Sequence, residues 1–197
     1  MAILQQQVSS RVLVLYHPEC LEHVTREGHQ EAPCRVSAIV DKIRSNKGSE
    51  RFMDYEIEYS EDFAPAGLEV IRRVHSADYI DFVRELSAQV LQSDQPVPYT
   101  PRVQTALTNK SASTSYVKEG SQSDTFFSKG SMRAALRAAG AVCHAIDKVL
   151  AKESRSAFCC IRPPGHHAGT HGLLHDCISC GFCIFNNVMA GALHSLT

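Results

Sequence analysis

No run in this 197-residue sequence approaches the ~18 consecutive apolar residues that a membrane-spanning helix requires, so a chain that does not enter a bilayer is expected. Nor is there an excess of one charge. Twenty Lys plus Arg stand against 21 Asp plus Glu, which leaves no overall field to gather a polyanion, and direct nucleic-acid binding is not expected. The opening residues MAILQQQVSS lack both the basic leader and the apolar stretch of a secretory signal, which predicts an intracellular chain, in the nucleus or the cytoplasm or both. Without export, the eight cysteines are expected to be reduced, buried thiols rather than a disulfide framework. The polar bias of a disordered chain is missing too. At 44% hydrophobic and 21% charged the composition is that of a globular protein, and the length suits a single domain of roughly 100–200 residues.

What is present is an alternation of strand-like and helix-like segments. Arg11 to Tyr16, RVLVLY, is a β-branched and aliphatic run that predicts a buried strand feeding a polar loop at His17-Pro18. His17, His23 and His29 follow at six-residue intervals, which match neither the helical nor the strand period and argue against a single ligand face. Val36, Ile39, Val40 and Ile43 recur at helical spacing and predict a helix with one apolar stripe, ending near Asn46-Lys47-Gly48. Tyr55 to Tyr59 alternates as a half-buried strand does, and Leu68 to Val74 predicts a short helix reaching His75. Ser76 is expected to cap a helix with Asp78 in its first turn and Tyr79, Phe82, Val83, Leu86 and Val90 on its buried face.

Residues 93–123 are rich in Ser, Thr, Gln and Pro and are expected to form a long polar loop within the domain. After it, Leu136, Ala139, Cys143, Ile146 and Leu150 mark the strongest helix, Ser131 to Leu150, which should pack against a sheet. Ala157 to Ile161, AFCCI, has the continuous apolar character of a strand covered on both faces, and Arg162-Pro163-Pro164-Gly165 stops it. Strands separated by helices predict a layered α/β fold, whose sites lie beyond the carboxyl ends of the strands. His166 and His167 stand at such an end.

Adjacent imidazoles, aimed by a rigid Pro-Pro-Gly turn, can divide between them the taking and the giving of a proton near neutral pH. Two histidines on a solvated loop are the bland alternative, and the flanking sequence decides against it. Ile161 to Ala168, IRPPGHHA, resembles the histidine-pair motif of histone deacetylases in its class II and bacterial form, and Gly181 to Val188, GFCIFNNV, resembles the segment that follows the pair there. Upstream, YHPECLEHVTREGHQEAPCRVSAI resembles the family's opening, VHSADYI its His-x-x-x-Tyr segment, and DTFFSKGSMRAALRAAGAV the entry to its long helix. The resemblance covers nearly the whole chain.

That resemblance implies the three-layer α/β/α arginase–deacetylase fold with a mainly parallel sheet, of which residues 1–197 supply roughly the first half, an incomplete histone deacetylase domain. The activity implied is zinc-dependent hydrolysis of acetyl-lysine amides in proteins such as the histones of chromatin, with acetylpolyamine as the alternative substrate. His167 would be the general base and His166 would stabilise the transition state. Phe182 would line the acyl-lysine tunnel, Gly181 would leave room for the slim stem, and Asp124 would accept hydrogen bonds from substrate amides at the rim; the bland readings are a core phenylalanine and an exposed loop carboxylate. Arg35 falls in a Pro-x-Arg element where the family more usually shows Arg-Pro-x-Arg. His75 and Tyr79 are expected to be structural.

The zinc of the complete family domain is held by an Asp-x-His and a further Asp, and no Asp-x-His occurs in these residues. A late tyrosine that would hydrogen-bond the oxyanion is likewise missing. The 197-residue chain is therefore expected neither to bind that zinc nor to act alone, and its sheet is expected to end in an apolar edge able to pair with another chain. His171, His175, Cys177, Cys180 and Cys183 have zinc-like spacing, yet the motif would bury Cys183 and Cys180, so a structural metal and ordinary thiols both stay open. A third reading is a non-catalytic interaction protein that keeps the first half of the fold.

Overall fold

The computed structural model describes residues 10–46, 56–108 and 123–197. β1 (Arg11–Leu15) lies at the centre of a three-stranded parallel sheet, between β2 (Glu56–Ser60) and β5 (Ser156–Cys159). β1 ends fully buried, as its unbroken apolar run demands, whereas in β2 only Ile57 is buried. Tyr55, expected to open β2, lies outside the described residues.

Helices cover both faces of the sheet. On one side α5 (Ser131–Leu150) lays Ala141 and Ala145 against Leu13, Leu15, Ala157 and Cys159. On the other, α1 (Cys34–Ser45) packs Val36 and Val40 against Cys160. The buried face of α5 is mostly alanine, which lets the helix approach closely. Its Gly140 abuts the backbone of residues 64–66, where Ala66 N–H donates to the Leu136 carbonyl at 2.8 Å. The predicted apolar stripe of α1 is only half used, because Ile39 is 41% exposed.

A second cluster forms on the far side of α5 from α2 (Leu68–Arg72), α3 (Ala77–Val90) and α6 (Asn187–His194). The Ser76 hydroxyl caps α3 by accepting from Tyr79 N–H. Residues 93–123, expected as loop, contain β3 (Val97–Pro98), which pairs antiparallel with β4 (Phe126–Phe127), and α4 (Thr100–Thr108). Two buried anchors, Tyr99 and Val103, suffice to dock α4, and Pro101 stands in its first turn, where a missing N–H costs nothing. Among the described residues β5 is an edge strand. Phe158 there is 48% exposed, so the expected cover on both faces is incomplete.

Candidate active site

The chain leaves β5 through Arg162, a guanidinium that is only 1% exposed. Burying such a charge is tolerable only if it is paired and its donors are met. Glu31 does both. Arg162 Nε lies 3.0 and 2.9 Å from the two Glu31 carboxylate oxygens, and Nη2 reaches Oε2 at 2.6 Å and the Glu31 carbonyl at 3.0 Å. Nη1 donates to the carbonyls of Cys20 and His23 at 3.2 and 2.7 Å. The polar loop after β1 is thereby tied to the base of the Pro-Pro-Gly turn, which follows a cis Arg162–Pro163 bond.

From that turn His166 and His167 emerge exposed, with ring centroids 4.2 Å apart and planes inclined by 48°. Their backbone is fixed from below. His167 N–H donates to Cys183 Sγ at 3.4 Å, Asn187 Nδ2 to the Pro163 carbonyl at 3.2 Å and Asn186 Nδ2 to the Ala168 carbonyl at 2.9 Å. Buried His75 joins the same framework. It accepts from Asn186 N–H at 2.9 Å through Nε2, so Nδ1 carries the proton and donates to the Gly169 carbonyl at 2.8 Å. Burial pushes its imidazole down to about 4, consistent with a neutral structural ring. Tyr79 is buried as well, its hydroxyl donating to the Ile184 carbonyl at 2.7 Å.

Opposite the pair stands the segment 179–183. Gly181 and Phe182 both adopt left-handed backbone, with φ of +54° and +67°. For phenylalanine that region costs about 1–2 kcal/mol, so something must hold it. Phe182 N–H donates to Thr125 Oγ1 at 2.9 Å, and Gly181 N–H donates to Asp124 Oδ2 at 3.0 Å. A Cβ at position 181 would meet His167 Cδ2 at 2.5 Å, so glycine is what lets the turn lie against the catalytic candidate. The Phe182 ring meets His29 edge-on, with centroids 5.3 Å apart.

His166, His167, Gly181 and Phe182 line one cavity of about 420 Å³, floored by Arg162, Ile161 and Pro164 and flanked by Arg35 and Ile39 of α1. Asp124 is not in it. Asp124 lies on the far side of Phe182, in an open groove of about 730 Å³ with Arg26 to Gln30 and Ser123. Burial alone would raise its carboxyl, but hydrogen bonds from Ser179, Thr100, Thr125 and Gly181 N–H together hold it below the usual carboxylate range. Arg35 is exposed and reaches Glu31 at 3.4 Å.

The cysteine cluster does not assemble. Cys180 and Cys183 are fully buried, and burial pushes their thiols up to about 12 and about 11, away from the thiolate form that binds metal. Cys177 is exposed, His171 is engaged with Ser76 Oγ at 2.8 Å, and His175 pairs with Asp176. Among the described residues no three His, Cys, Asp or Glu side chains converge in an arrangement that could hold a metal ion.

Nothing in the local sequence marks Glu31, Thr125, Ser179 or His29 as functional. Arg162 left one usable signal, since a cation ending an apolar strand must find a buried anion, but nothing local identified Glu31 as the partner.

A sequence profile of the histone deacetylase domain matches residues 29–197. Type-2 histone deacetylase 1 of Dictyostelium discoideum is 33% identical to the chain, covering 94% of it and 14% of the relative. Histone deacetylase 14, chloroplastic, of Arabidopsis thaliana is 29% identical, covering 96% and 40%. Among solved structures the HDA15 HD domain matches with a TM-score of 0.64 at 24% identity, covering 96% of this chain and 43% of that one. The chain thus spans less than half the length of each. The structural likeness carries the fold, the layered α/β arrangement of the deacetylases.

Proposed function

The chain belongs to the histone deacetylase family, and from that premise we propose that it supplies the histidine pair and one wall of the substrate passage for hydrolysis of acetyl-lysine amides in proteins. The observation that carries this reading is the convergence of His166, His167, Gly181 and Phe182 on one cavity. An apolar ring opposite two imidazoles suits a slim aliphatic stem that ends in a hydrolysable amide.

His167 is the base in this reading. It takes the proton of the attacking water and returns it to the leaving amine, while His166 beside it stabilises the charge that develops. The Arg162–Glu31 pair, the Asn186 and Asn187 side chains and His75 keep the backbone beneath the two rings from moving, so the rings meet the substrate at a fixed angle.

Family membership implies zinc, which polarises the amide carbonyl and acidifies water when bound. The donor set does not fit it: the thiols nearest the histidine pair are buried and pushed toward the protonated form, and among the described residues no three ligands converge. As a 197-residue polypeptide the chain is proposed to be inactive, with nuclear or cytoplasmic protein acetyl-lysine, histones included, as the substrate of a complete domain.

A second reading, association with a further chain, is favoured by the edge position of β5 and the exposed Phe158 and Ile39 on the same side of the sheet. Specific binding to an intact family deacetylase, without zinc uptake by this chain, selects it.

The test compares metal content and hydrolysis of an acetyl-lysine peptide between the 197-residue chain and a chain carrying the remainder of the family domain. Only the longer chain should hold one zinc and turn over, and His167→Ala within it should abolish turnover. Activity in the 197-residue chain, or full activity in the longer His167→Ala variant, overturns the reading.

A further inference from the structure

We propose that Asp124 and Thr125 act as a two-residue clamp that holds Gly181 and Phe182 in left-handed backbone and so fixes the passage between the Phe182 ring and His167. The inference rests on the deacetylase reading for its purpose, since the passage matters to an acyl-lysine stem. The clamp itself stands on geometry alone.

Consecutive side chains capture consecutive amides. Asp124 Oδ2 takes Gly181 N–H at 3.0 Å and Thr125 Oγ1 takes Phe182 N–H at 2.9 Å. The two halves are coupled, because the Thr125 hydroxyl donates to Asp124 Oδ1 at 3.0 Å. Donation to a carboxylate polarises that hydroxyl and strengthens its oxygen as an acceptor for Phe182 N–H. The chain of bonds thus runs from the carboxylate through a hydroxyl to the one residue whose backbone most needs restraint.

Asp124 has nothing left over. Oδ1 receives Thr100 at 2.5 Å and Thr125, while Oδ2 receives Ser179 and Gly181 N–H. Two oxygens offer about four lone-pair sites, and all four are used inside the protein. An incoming substrate amide could bond this carboxylate only by displacing one of them. Asp124 is therefore a positioning residue that acts through Gly181 and Phe182.

Position explains why the restraint matters. The Phe182 ring is a wall of both the histidine cavity and the groove beside Asp124, and its far side leans on His29. The same His29 accepts Glu31 N–H at 3.1 Å through Nδ1 and donates from Nε2 to the Asp124 carbonyl at 3.1 Å. Relaxing φ at residue 182 to the right-handed or extended region would swing the ring out of that seat and change both spaces at once.

Two measurements on the 197-residue chain test the clamp without any turnover, so its failure is separate from failure of the deacetylase reading. The first is site-resolved alkylation by N-ethylmaleimide, read by peptide mass spectrometry. Cys180 and Cys183 flank the clamped turn and are fully buried, while Cys20 and Cys160 are buried elsewhere. Thr125→Val should raise modification of Cys180 and Cys183 by about tenfold, the shift in local opening that loss of one buried hydrogen bond brings, and leave Cys20 and Cys160 unchanged. Thr125→Ser, which keeps the hydroxyl, should restore protection. The second is amide hydrogen exchange in the unaltered chain, where Gly181 and Phe182 should exchange as slowly as amides inside α5. Exchange at the rate of a free loop overturns the clamp. So does a Thr125→Val variant that stays protected, one that exposes all four cysteines equally, or one that Thr125→Ser fails to rescue.

Discussion

Acid should unfold this chain through two histidines that never touch substrate. His23 is 1% exposed with Nδ1 at 2.7 Å from Ser131 Oγ, and burial pushes its imidazole down to about 3. His75, 3% exposed between Asn186 and Gly169, is pushed down to about 4 for the same reason. Both folded values lie below the ~6.5 of an unfolded histidine, so as pH falls below that value the unfolded chain takes up protons the folded chain refuses. Stability is therefore greatest at and above pH ~7, declines through the window between ~6.5 and the folded values, and levels off below them. At pH 5 each ring has cost about 2 kcal/mol relative to pH 7, hence about 4 kcal/mol together. That loss is large beside the 5–15 kcal/mol (roughly) of a typical domain. Urea unfolding followed by far-ultraviolet circular dichroism at pH 7, 6 and 5 measures it. Asp124, whose carboxyl is held low, loses its contribution only as pH falls below the ~3.9 of an unfolded aspartate, beneath the pH 5 to 7 range of this measurement. Stabilities that agree within about 1 kcal/mol between pH 7 and pH 5 would refute the burial argument for both rings.

Glu31→Gln should be among the most damaging single substitutions, costing about 3–5 kcal/mol because Arg162 keeps its charge in a closed space without an anion. Chemical denaturation at pH 7 reads the loss. Gly181→Ala should cost about 1–2 kcal/mol through its positive φ, and the new Cβ should push against His167 Cδ2. The ring resonances of His167 should then move in a proton–carbon correlation spectrum while those of His75 stay in place.

Much of this structure could be read from local pattern. α3 and α5 follow their apolar spacing, and Ser76 caps α3 as its hydroxyl type suggests. β1 and β5 are visible as apolar runs, but their parallel pairing is a relation between distant segments and leaves no local mark. α4 was hidden by a polar composition that two buried side chains, Tyr99 and Val103, overrule. In the site, the motif brought His166, His167, Gly181 and Phe182 together by resemblance, and the cavity gathers the same four. The supports were illegible for a physical reason: Glu31 meets Arg162 across 131 residues and Thr125 meets Phe182 across 57, and no periodicity encodes such a pairing.

The placement of β1 between β2 and β5 also bears on how the chain is made. Val12 pairs with Ile57 and with Ser156, the second of these 144 residues later in the sequence (156 − 12). At the ~5–20 residues per second of ribosomal synthesis, β1 waits roughly 7–30 s for its second neighbour to be polymerised. Throughout that interval an apolar strand with an open edge is tethered to the ribosome beside other nascent chains. A holding chaperone that occupies β1 early and yields it late would suit such a topology, and the strand that anchors the finished sheet is the one most in need of it during birth.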